Sequence, residues 1–532
     1  MSNIGNYERT YAGFEWETPD KFNFGRDVID GWPSEKPAMI WLGSDGSERR
    51  LSFGDFTRLS NKFANVAKNL GVNKGDRVMV LMGKIPEWHA IMIGLLKLGA
   101  VTIPCAPQLR SYDLGFRAEH SGSVLLVSDQ SDIEEAEKAN MPSVKNLVSL
   151  GAARDGWESY ETLMDDASEE FVAEDTSASD NAFMLYTSGT TKHPKGVVQS
   201  HGYTHAKRME AFYWLDLQEG DRLWCTSGTG WAKSIWNVFL GPWSVGTELF
   251  FHEGGFDPAE RLRLIEEYDI TVLCQAPTEY RLLTKTKELE NAGLSKLRHV
   301  VSAGEPLNPP VIERWKDLHN FTIYDGYGQT ENTLLVGNFP GVEVRPGSMG
   351  KPSPGCDVKI IDMDGNECPD DEPGDIALSG EIPVLFEGYW EQPEETKACY
   401  RGEYYLTGDR AYRDSDGYLW FVGRSDDVIL SAGYRIGPFE VESALIEHEA
   451  VVESAVVASP DEDRGSVVKA FVVLGKDYSP SDELVKELQD FCKTHTAPYK
   501  YPRKIEFVAD LPKTTSGKIR RVELRQSETS NA

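Results

Sequence analysis

Apolar residues between positions 56 and 127 follow two alternating rhythms, and no other feature of the chain narrows its fold as much. Phe56, Leu59, Phe63, Val66, Ala67 and Leu70 recur at helical spacing until Gly71 closes the helix. Largely apolar runs at 77–82, 101–104 and 124–127 read as short strands, and 87–98 as a second helix. Strands that are apolar on both faces need cover on both, which helical connections supply, so the expected class is α/β with doubly wound sheets. The pattern returns at 182–186 and again at 270–275, 299–302 and 322–324, the last three each read as a strand followed by a glycine-containing turn. Ligands of such sheets lie beyond the carboxyl ends of the strands. The segments TSGTTKHPKG (187–196), SAGEP (302–306) and DGYGQTE (325–331) all sit at such ends, so residues far apart in sequence can share one site.

A chain of 532 residues exceeds one compact core and implies two or three domains. After Gly350 the sequence breaks into short strand-like pieces between turns (DMDGNECPDDEPGD, DSDGYLWFVG), which predicts a smaller β-rich subdomain. Beyond GRSDD, helices at 440–448 and 482–494 alternate with strands at 455–458, 467–474 and 504–508, enough for a separate small domain. A formal net charge of −30 argues against general nucleic-acid binding and against adhesion to anionic membranes, but a local cluster of Lys and Arg can still hold an anionic small molecule. The seven cysteines are scattered and never form C-x-x-C, so neither a disulfide framework nor a zinc site is expected. The N-terminal segment is polar, and the most apolar stretch, 91–104, is interrupted by Lys97; a cytoplasmic protein without a membrane span is expected. A homo-oligomer is compatible with the sequence without being demanded by it.

The segment from Thr187 through Ser188, Gly189, Thr190, Thr191 and Lys192 to Lys195 and Gly196 packs hydroxyls, glycines and lysines behind an apolar strand. Glycines let backbone N–H groups approach an anion, hydroxyls donate hydrogen bonds and Lys195 adds a compact charge, which suits a polyphosphate. The G-x-x-x-x-G-K-[ST] pattern is absent here, which disfavours a P-loop ATPase.

Read together, YTSGTTKHPKGV (186–197), YGQTE (327–331), TGD (407–409), GRSDD (423–427) and PKTTSGKIRR (512–521) resemble the adenylate-forming superfamily, in that family's order. SAGYRIGPFEVESAL (431–445) and PYKYPRKIEF (498–507) look like its medium-chain acyl-CoA synthetase branch. The resemblance covers nearly the whole chain. It implies a large N-terminal domain, 1–425, carrying the ATP and acyl sites, and a small mobile C-terminal domain, 426–532. It also implies an AMP-forming ligase. A carboxylate resists direct attack by a thiol because oxide would have to leave, so it is first joined to AMP. Coenzyme A then displaces AMP.

The family motifs assign roles by position. Thr187 to Thr191 and Lys195 would cradle the β- and γ-phosphates, and Glu331 would bind Mg²⁺, for which one carboxylate with phosphate oxygens and waters is suited. Lys192 stands where the family most often has glycine; either the loop keeps φ below zero there or the lysine adds charge. Gly304, Glu305, Pro306, Asp325, Gly326 and Tyr327 match the adenine slot, with Gln329 beside it, and Thr330 would reach the α-phosphate. Asp409 would accept from the ribose hydroxyls, and Arg424 would contact ribose or phosphate. Lys518 would reach the reacting carboxylate and α-phosphate. Thr187, Lys195, Glu331 and Lys518 thus form the catalytic set. Asp426 matches the hinge of the small domain. Ser431, Ala432, Gly433, Tyr434 and Arg435 match the pantetheine side of the coenzyme A site, and Arg464, Lys493, Tyr501, Pro502 and Arg503 its nucleotide end.

Gly328 stands where acetate-activating relatives carry a pocket-blocking tryptophan, so several carbons should fit, with Trp231 lining the space and Trp236 a further candidate. The expected substrates are ATP, coenzyme A and a medium-length, straight or branched carboxylic acid. An aryl-acid ligase and a stand-alone adenylation enzyme that loads a carrier protein are the rival readings within the family. A non-catalytic nucleotide-binding protein would need neither Lys518 nor Glu331.

Overall fold

Strands 77–82 and 101–104 of the sequence reading become the centre of an eight-stranded sheet. A computed structural model of the chain describes residues 2–129, 133–151, 154–187, 194–424, 427–431, 434–461, 464–497, 499–513 and 519–530, the side chains of Arg435, Thr529 and Ser530 excepted. The eight-stranded sheet runs through Gly388–Tyr389, Lys195–Ser200, Asn181–Thr187, Val101–Cys105, Arg77–Leu81, Leu125–Ser128, Asn146–Ser149 and Glu158–Ser159. From Asn181–Thr187 onward neighbouring strands are parallel; at the other side Asn181–Thr187 and Lys195–Ser200 form an antiparallel hairpin. The sequence reading did not foresee that second strand. It places Thr187 directly opposite Lys195.

The nine-stranded sheet runs through Lys351–Pro352, Leu334–Gly337, Ile323–Gly328, His299–Ala303, Val272–Gln275, Arg222–Cys225, Glu248–His252, Pro37–Leu42 and Glu48–Ser52. Two expectations are corrected here. No glycine turn follows Gln275; the helix Pro277–Thr284 starts at once, with proline in its first turn, where a missing N–H costs nothing. The strand expected at 322–324 extends as Ile323–Gly328, so DGYG is strand, and it pairs antiparallel with Leu334–Gly337. Its glycines serve close packing: a Cβ on Gly326 would lie 2.4 Å from Leu334 Cδ1, and one on Gly328 1.9 Å from Thr333 O. The residues Gln329 to Thr333 therefore form the turn of this second hairpin.

A third sheet combines Asp357–Ile361, Gly374–Ser379, Tyr404–Arg413, Tyr400–Arg401 and Leu419–Arg424, the β-rich part expected after Gly350. In the C-terminal part, Val451–Asp461, Gly465–Leu474 and Lys504–Phe507 form a three-stranded sheet with helices Pro438–Glu447, Asp482–His495 and Arg521–Ser530. Val441, Leu445, Val456, Ala470, Leu488 and their neighbours give it a hydrophobic cluster of its own. The protein is thus a large mixed α/β domain with two mixed sheets and a β-rich sheet, followed by a small C-terminal α/β domain.

Helix Phe53–Asn69 begins at a capping box: Asp55 N donates to Ser52 Oγ at 3.2 Å, and Ser52 N donates back to Asp55 Oδ2 at 2.9 Å. Helix Pro86–Leu98 is buried on nearly every side, which explains its apolar periodicity without a polar face. Lys97 within it is fully buried and donates to Asp30 Oδ1 at 2.6 Å and Asn61 Oδ1 at 2.7 Å, so the break in the apolar run is a paired core cation. The two helices cross at Gly94, where a Cβ would meet Ser60 O at 2.7 Å and Ala64 N at 3.1 Å, both backbone atoms. Gly94→Ala is expected to cost about 1–3 kcal/mol by overpacking, read as a lowered thermal midpoint of the large domain with specific activity per folded molecule unchanged.

Candidate active site

Tyr327, Gln329, Glu331, Asp409 and Lys195 gather where the three large sheets meet. Tyr327, at the end of its strand, donates through its hydroxyl to Asp409 Oδ2 at 2.6 Å, and Gln329 Nε2 donates to the same oxygen at 2.8 Å and to Thr407 O at 2.8 Å. Asp409 lies on the strand Tyr404–Arg413 directly across from Arg424 on Leu419–Arg424. Gly408, at φ +75°, makes the left-handed step that aims the carboxylate, and Asp409 N donates to Thr407 Oγ1 at 3.2 Å. Burial, then the charge of Asp409, keeps the Tyr327 phenol far from ionisation.

The turn that follows holds Glu331. Gln329 N donates to Asn332 Oδ1 at 2.8 Å, and Gln199 Nε2 to Thr330 O at 2.7 Å. Tyr389 donates to Glu331 Oε1 at 2.8 Å, and Lys195 Nζ lies 4.6 Å from the centre of the Tyr389 ring while donating to Glu395 Oε2 at 2.6 Å. Beneath the turn, the fully buried Lys207 pairs with Glu210, donates to Thr333 Oγ1 at 2.7 Å and faces the Trp236 ring at 4.3 Å. Trp236, weighed as a pocket residue, thus packs over a core cation. Trp231 caps the short helix Ala232–Ser234 and packs on the cluster of Ile103, Cys105 and Met184. The direction a side chain would take at Gly328 is filled by the chain's own Thr333 carbonyl, so the space an absent indole leaves there is partly backbone.

The residues expected to form the adenine slot lie along the ends of two neighbouring parallel strands, where Ala303 pairs with Gly326. Gly304 has φ +118°, reserved in practice for glycine. Glu305 accepts from Thr278 Oγ1 at 2.5 Å and from Arg281 Nη2 at 3.1 Å. Asp325 is buried; its Oδ2 accepts from Leu307 N at 3.3 Å, while Oδ1 has no hydrogen-bond partner among the described residues, an acceptor left over for an incoming donor. The small domain reaches this edge: Asn308 Nδ2 donates to Ser443 Oγ at 3.0 Å, and Lys285 Nζ donates to Val451 O at 3.3 Å and Val452 O at 3.1 Å.

In the small domain, Lys493, Tyr501 and Arg503 come together. Lys493 Nζ and Arg503 Cζ lie 4.5 and 4.9 Å from the Tyr501 ring centre, and Arg503 Nη1 donates to Tyr501 Oη at 2.8 Å. Pro502 is buried between them, and Arg464 lies in the turn before Gly465–Leu474, its N–H donating to Asp461 Oδ1 at 3.0 Å. Ser431 is buried and pairs with Tyr434, whose exposed ring stacks on Tyr499 at 4.4 Å. Ser188, Gly189, Thr190, Thr191, Lys192, Asp426, Ala432, Gly433, Lys518 and the Arg435 side chain lie outside the described residues.

Tyr389, Glu395, Arg281 and Lys233, which donates to Ala303 O at 2.9 Å, escaped the sequence reading. Each lies in a segment without a phosphate-type composition, and only Lys233, two residues after Trp231, carried a signal: a lone cation in an apolar stretch. Among the described residues no cluster of three or more His, Cys, Asp or Glu forms, and no helix is long and apolar enough to cross a membrane.

Similarity to known proteins follows the same outline. The AMP-binding enzyme family matches residues 26–390 and the AMP-binding enzyme C-terminal domain family residues 440–518. The chain is 44% identical over 551 residues to the acyl-coenzyme A synthetase ACSM3, mitochondrial, of Mus musculus, covering 99% of this chain and 94% of that protein. It is 46% identical over 501 residues to the uncharacterized acyl-CoA ligase YtcI of Bacillus subtilis, covering 93% of each. The crystal structure of the anthranilate CoA ligase AuaEII in complex with anthranoyl-AMP matches with a TM-score of 0.89 at 31% identity, over 96% of this chain and 98% of that one.

Burial pushes the Asp325 carboxyl up to about 7 from its ordinary 3.8. Its folded-state pKa lies above the unfolded one, so the stability it contributes is complete below about 3.8 and is lost as pH rises towards 7. Chemical unfolding at pH 5 and pH 7.5 should show the wild type losing up to ~2.5 kcal/mol more across that interval than Asp325→Asn, which has no proton to lose.

Proposed function

This chain belongs to the AMP-binding enzyme family and is an AMP-forming acyl-CoA ligase; from that we propose that its acid substrate is aliphatic, of medium length, straight or branched. One observation carries the reading of the site: Tyr327 and Gln329 converge on Asp409 while Glu331, in the same turn, meets Tyr389 beside Lys195. One short segment thus holds a ribose acceptor directly and reaches a phosphate cation through Tyr389.

In the first half-reaction a carboxylate oxygen of the acid attacks the α-phosphorus of ATP, the bond to the bridging oxygen breaks and pyrophosphate leaves. In the second the thiol of coenzyme A, its proton passing to solvent, attacks the acyl carbon and AMP leaves. Both transition states gather negative charge that preorganised donors stabilise. Asp409 accepts from the ribose hydroxyls, Tyr327 packs on the base, and Asp325 Oδ1 accepts from the exocyclic amine of adenine. Thr187, residues 188–191 and Lys195 hold the departing pyrophosphate, and Thr330, Arg424 and Lys518 serve the α-phosphate. The donor set fits magnesium: Glu331 stands apart from any cluster of three such ligands among the described residues, and one carboxylate completed by phosphate oxygens and waters suits that ion. When bound to Glu331, magnesium supplies neutralising charge along the triphosphate.

The domain boundary is proposed at 425/426, with rotation about Asp426 replacing Lys518 by the 431–435 segment after adenylation. Lys493, Tyr501 and Arg503 then meet the nucleotide end of coenzyme A, whose phosphates suit cations and whose adenine suits the Tyr501 ring. The reaction is proposed to take place in the cytoplasm. The likeness to AuaEII favours a second reading, an aryl acid in the same pocket.

AMP release assayed with short, medium, branched and aromatic acids, with and without coenzyme A, tests both readings. The highest kcat/KM is expected for a medium-length aliphatic acid and only with coenzyme A present. A benzoate-type acid in first place would install the aryl reading, and turnover restored only by a carrier protein would replace the thioester product. Lys518→Ala should slow single-turnover acyl-AMP formation by roughly 10²–10³-fold. An unchanged rate would remove Lys518 from the catalytic set.

A further inference from the structure

We propose that Tyr389 is a positioning residue for adenylation: its hydroxyl fixes the orientation of the Glu331 carboxylate for the metal. The inference rests on the reading of Glu331 as the metal carboxylate. Tyr389 belongs to the two-residue strand Gly388–Tyr389, which closes the edge of the eight-stranded sheet and pairs with Lys195–Ser200, Tyr389 opposite Val197. The segment around it is stitched to both halves of the site. Trp390 N donates to Gly196 O at 2.8 Å, and Phe386 N to Glu331 O at 2.8 Å. Backbone bonds thus set the place of the tyrosine, and its side chain spans the gap between the phosphate hairpin and the turn bearing Glu331.

Both ends of that side chain meet a residue of the reaction. The hydroxyl donates to Glu331 Oε1 at 2.8 Å, a bond that restrains rotation of the carboxylate and leaves Oε2 outside it. The ring presents its face to Lys195 Nζ at 4.6 Å. Lys195 is meanwhile paired with Glu395, a side chain 52% exposed, which an incoming anion can displace without moving the ring. A carboxylate only accepts hydrogen bonds, so the phenol is the donor. Cys399 Sγ, 3.9 Å from the hydroxyl, can satisfy its acceptor side. Groups that orient a metal ligand in this way carry much of a site's affinity.

The test uses full-length wild type and Tyr389→Phe, which deletes the hydroxyl and keeps the ring. Mn²⁺ binding in the presence of α,β-methylene ATP is followed by electron paramagnetic resonance, and binding of metal-free pyrophosphate by calorimetry. Tyr389→Phe should weaken Mn²⁺ binding roughly tenfold or more, with pyrophosphate affinity within about twofold of wild type. Unchanged Mn²⁺ affinity overturns the proposal. So does a parallel fall in both affinities, or a Tyr389→Phe chain that fails to fold, since either makes the hydroxyl a general structural group. A wild type that binds no Mn²⁺ at this site would instead refute the reading of Glu331.

Discussion

The turn from Gln329 to Thr333 is the joint on which the catalytic half of this protein depends. It belongs to the nine-stranded sheet through the hairpin Ile323–Gly328 and Leu334–Gly337. Gln329 ties it to Asp409 of the β-rich sheet, and Glu331 ties it to Tyr389 on the edge of the eight-stranded sheet. From below, the buried Lys207–Glu210 pair holds Thr333. Removing one partner of such a pair leaves a bare charge in the interior, so the turn is anchored by an arrangement that tolerates little change. Gly326 and Gly328 permit the close approach, because at either position a side chain would strike Leu334 or the Thr333 carbonyl.

This arrangement reconciles an acidic chain with anionic substrates. A net charge of −30 repels phosphates at long range, but salt screens that field within about 10 Å, and inside the site the local groups decide. Lys195 is held there between the aromatic face of Tyr389 and the carboxylate of Glu395. In the small domain Lys493 and Arg503 flank Tyr501 in a similar way. Glu305 and Asn308 bring the same logic to the domain border: Glu305 engages Arg281, and Asn308 donates to Ser443 of the small domain. The small domain thus contacts the edge that bears Gly304, Glu305 and Asp325.

Much of the fold was legible because its signals are local. The helix Phe53–Asn69 follows from the apolar spacing between Phe56 and Leu70, and the strands Arg77–Leu81 and Val101–Cys105 from the runs read at 77–82 and 101–104, too short for helices. The errors were also local rules applied where packing overrides them. Glycines at 326 and 328 read as a turn because glycine usually marks one, yet here they lie in a strand pressed against Trp214, Leu334 and Thr333. The strand Lys195–Ser200 was missed because its residues, KGVVQS, look like the tail of a polar loop until they pair with Asn181–Thr187.

Sequence alone therefore determined the α/β class, the order of the phosphate, ribose and C-terminal motifs, and the residue types able to bind an anion, since periodicity and composition act within a few neighbouring residues. Only the tertiary structure decided which of those residues meet. Tyr327 finds Asp409 across 82 residues, Tyr389 finds Glu331 across 58, and Lys195 finds Glu395 across 200. A hydrogen bond is made or lost within a few tenths of an ångström, and the spacing of residues along the chain carries no such distance. The pairing of strands does.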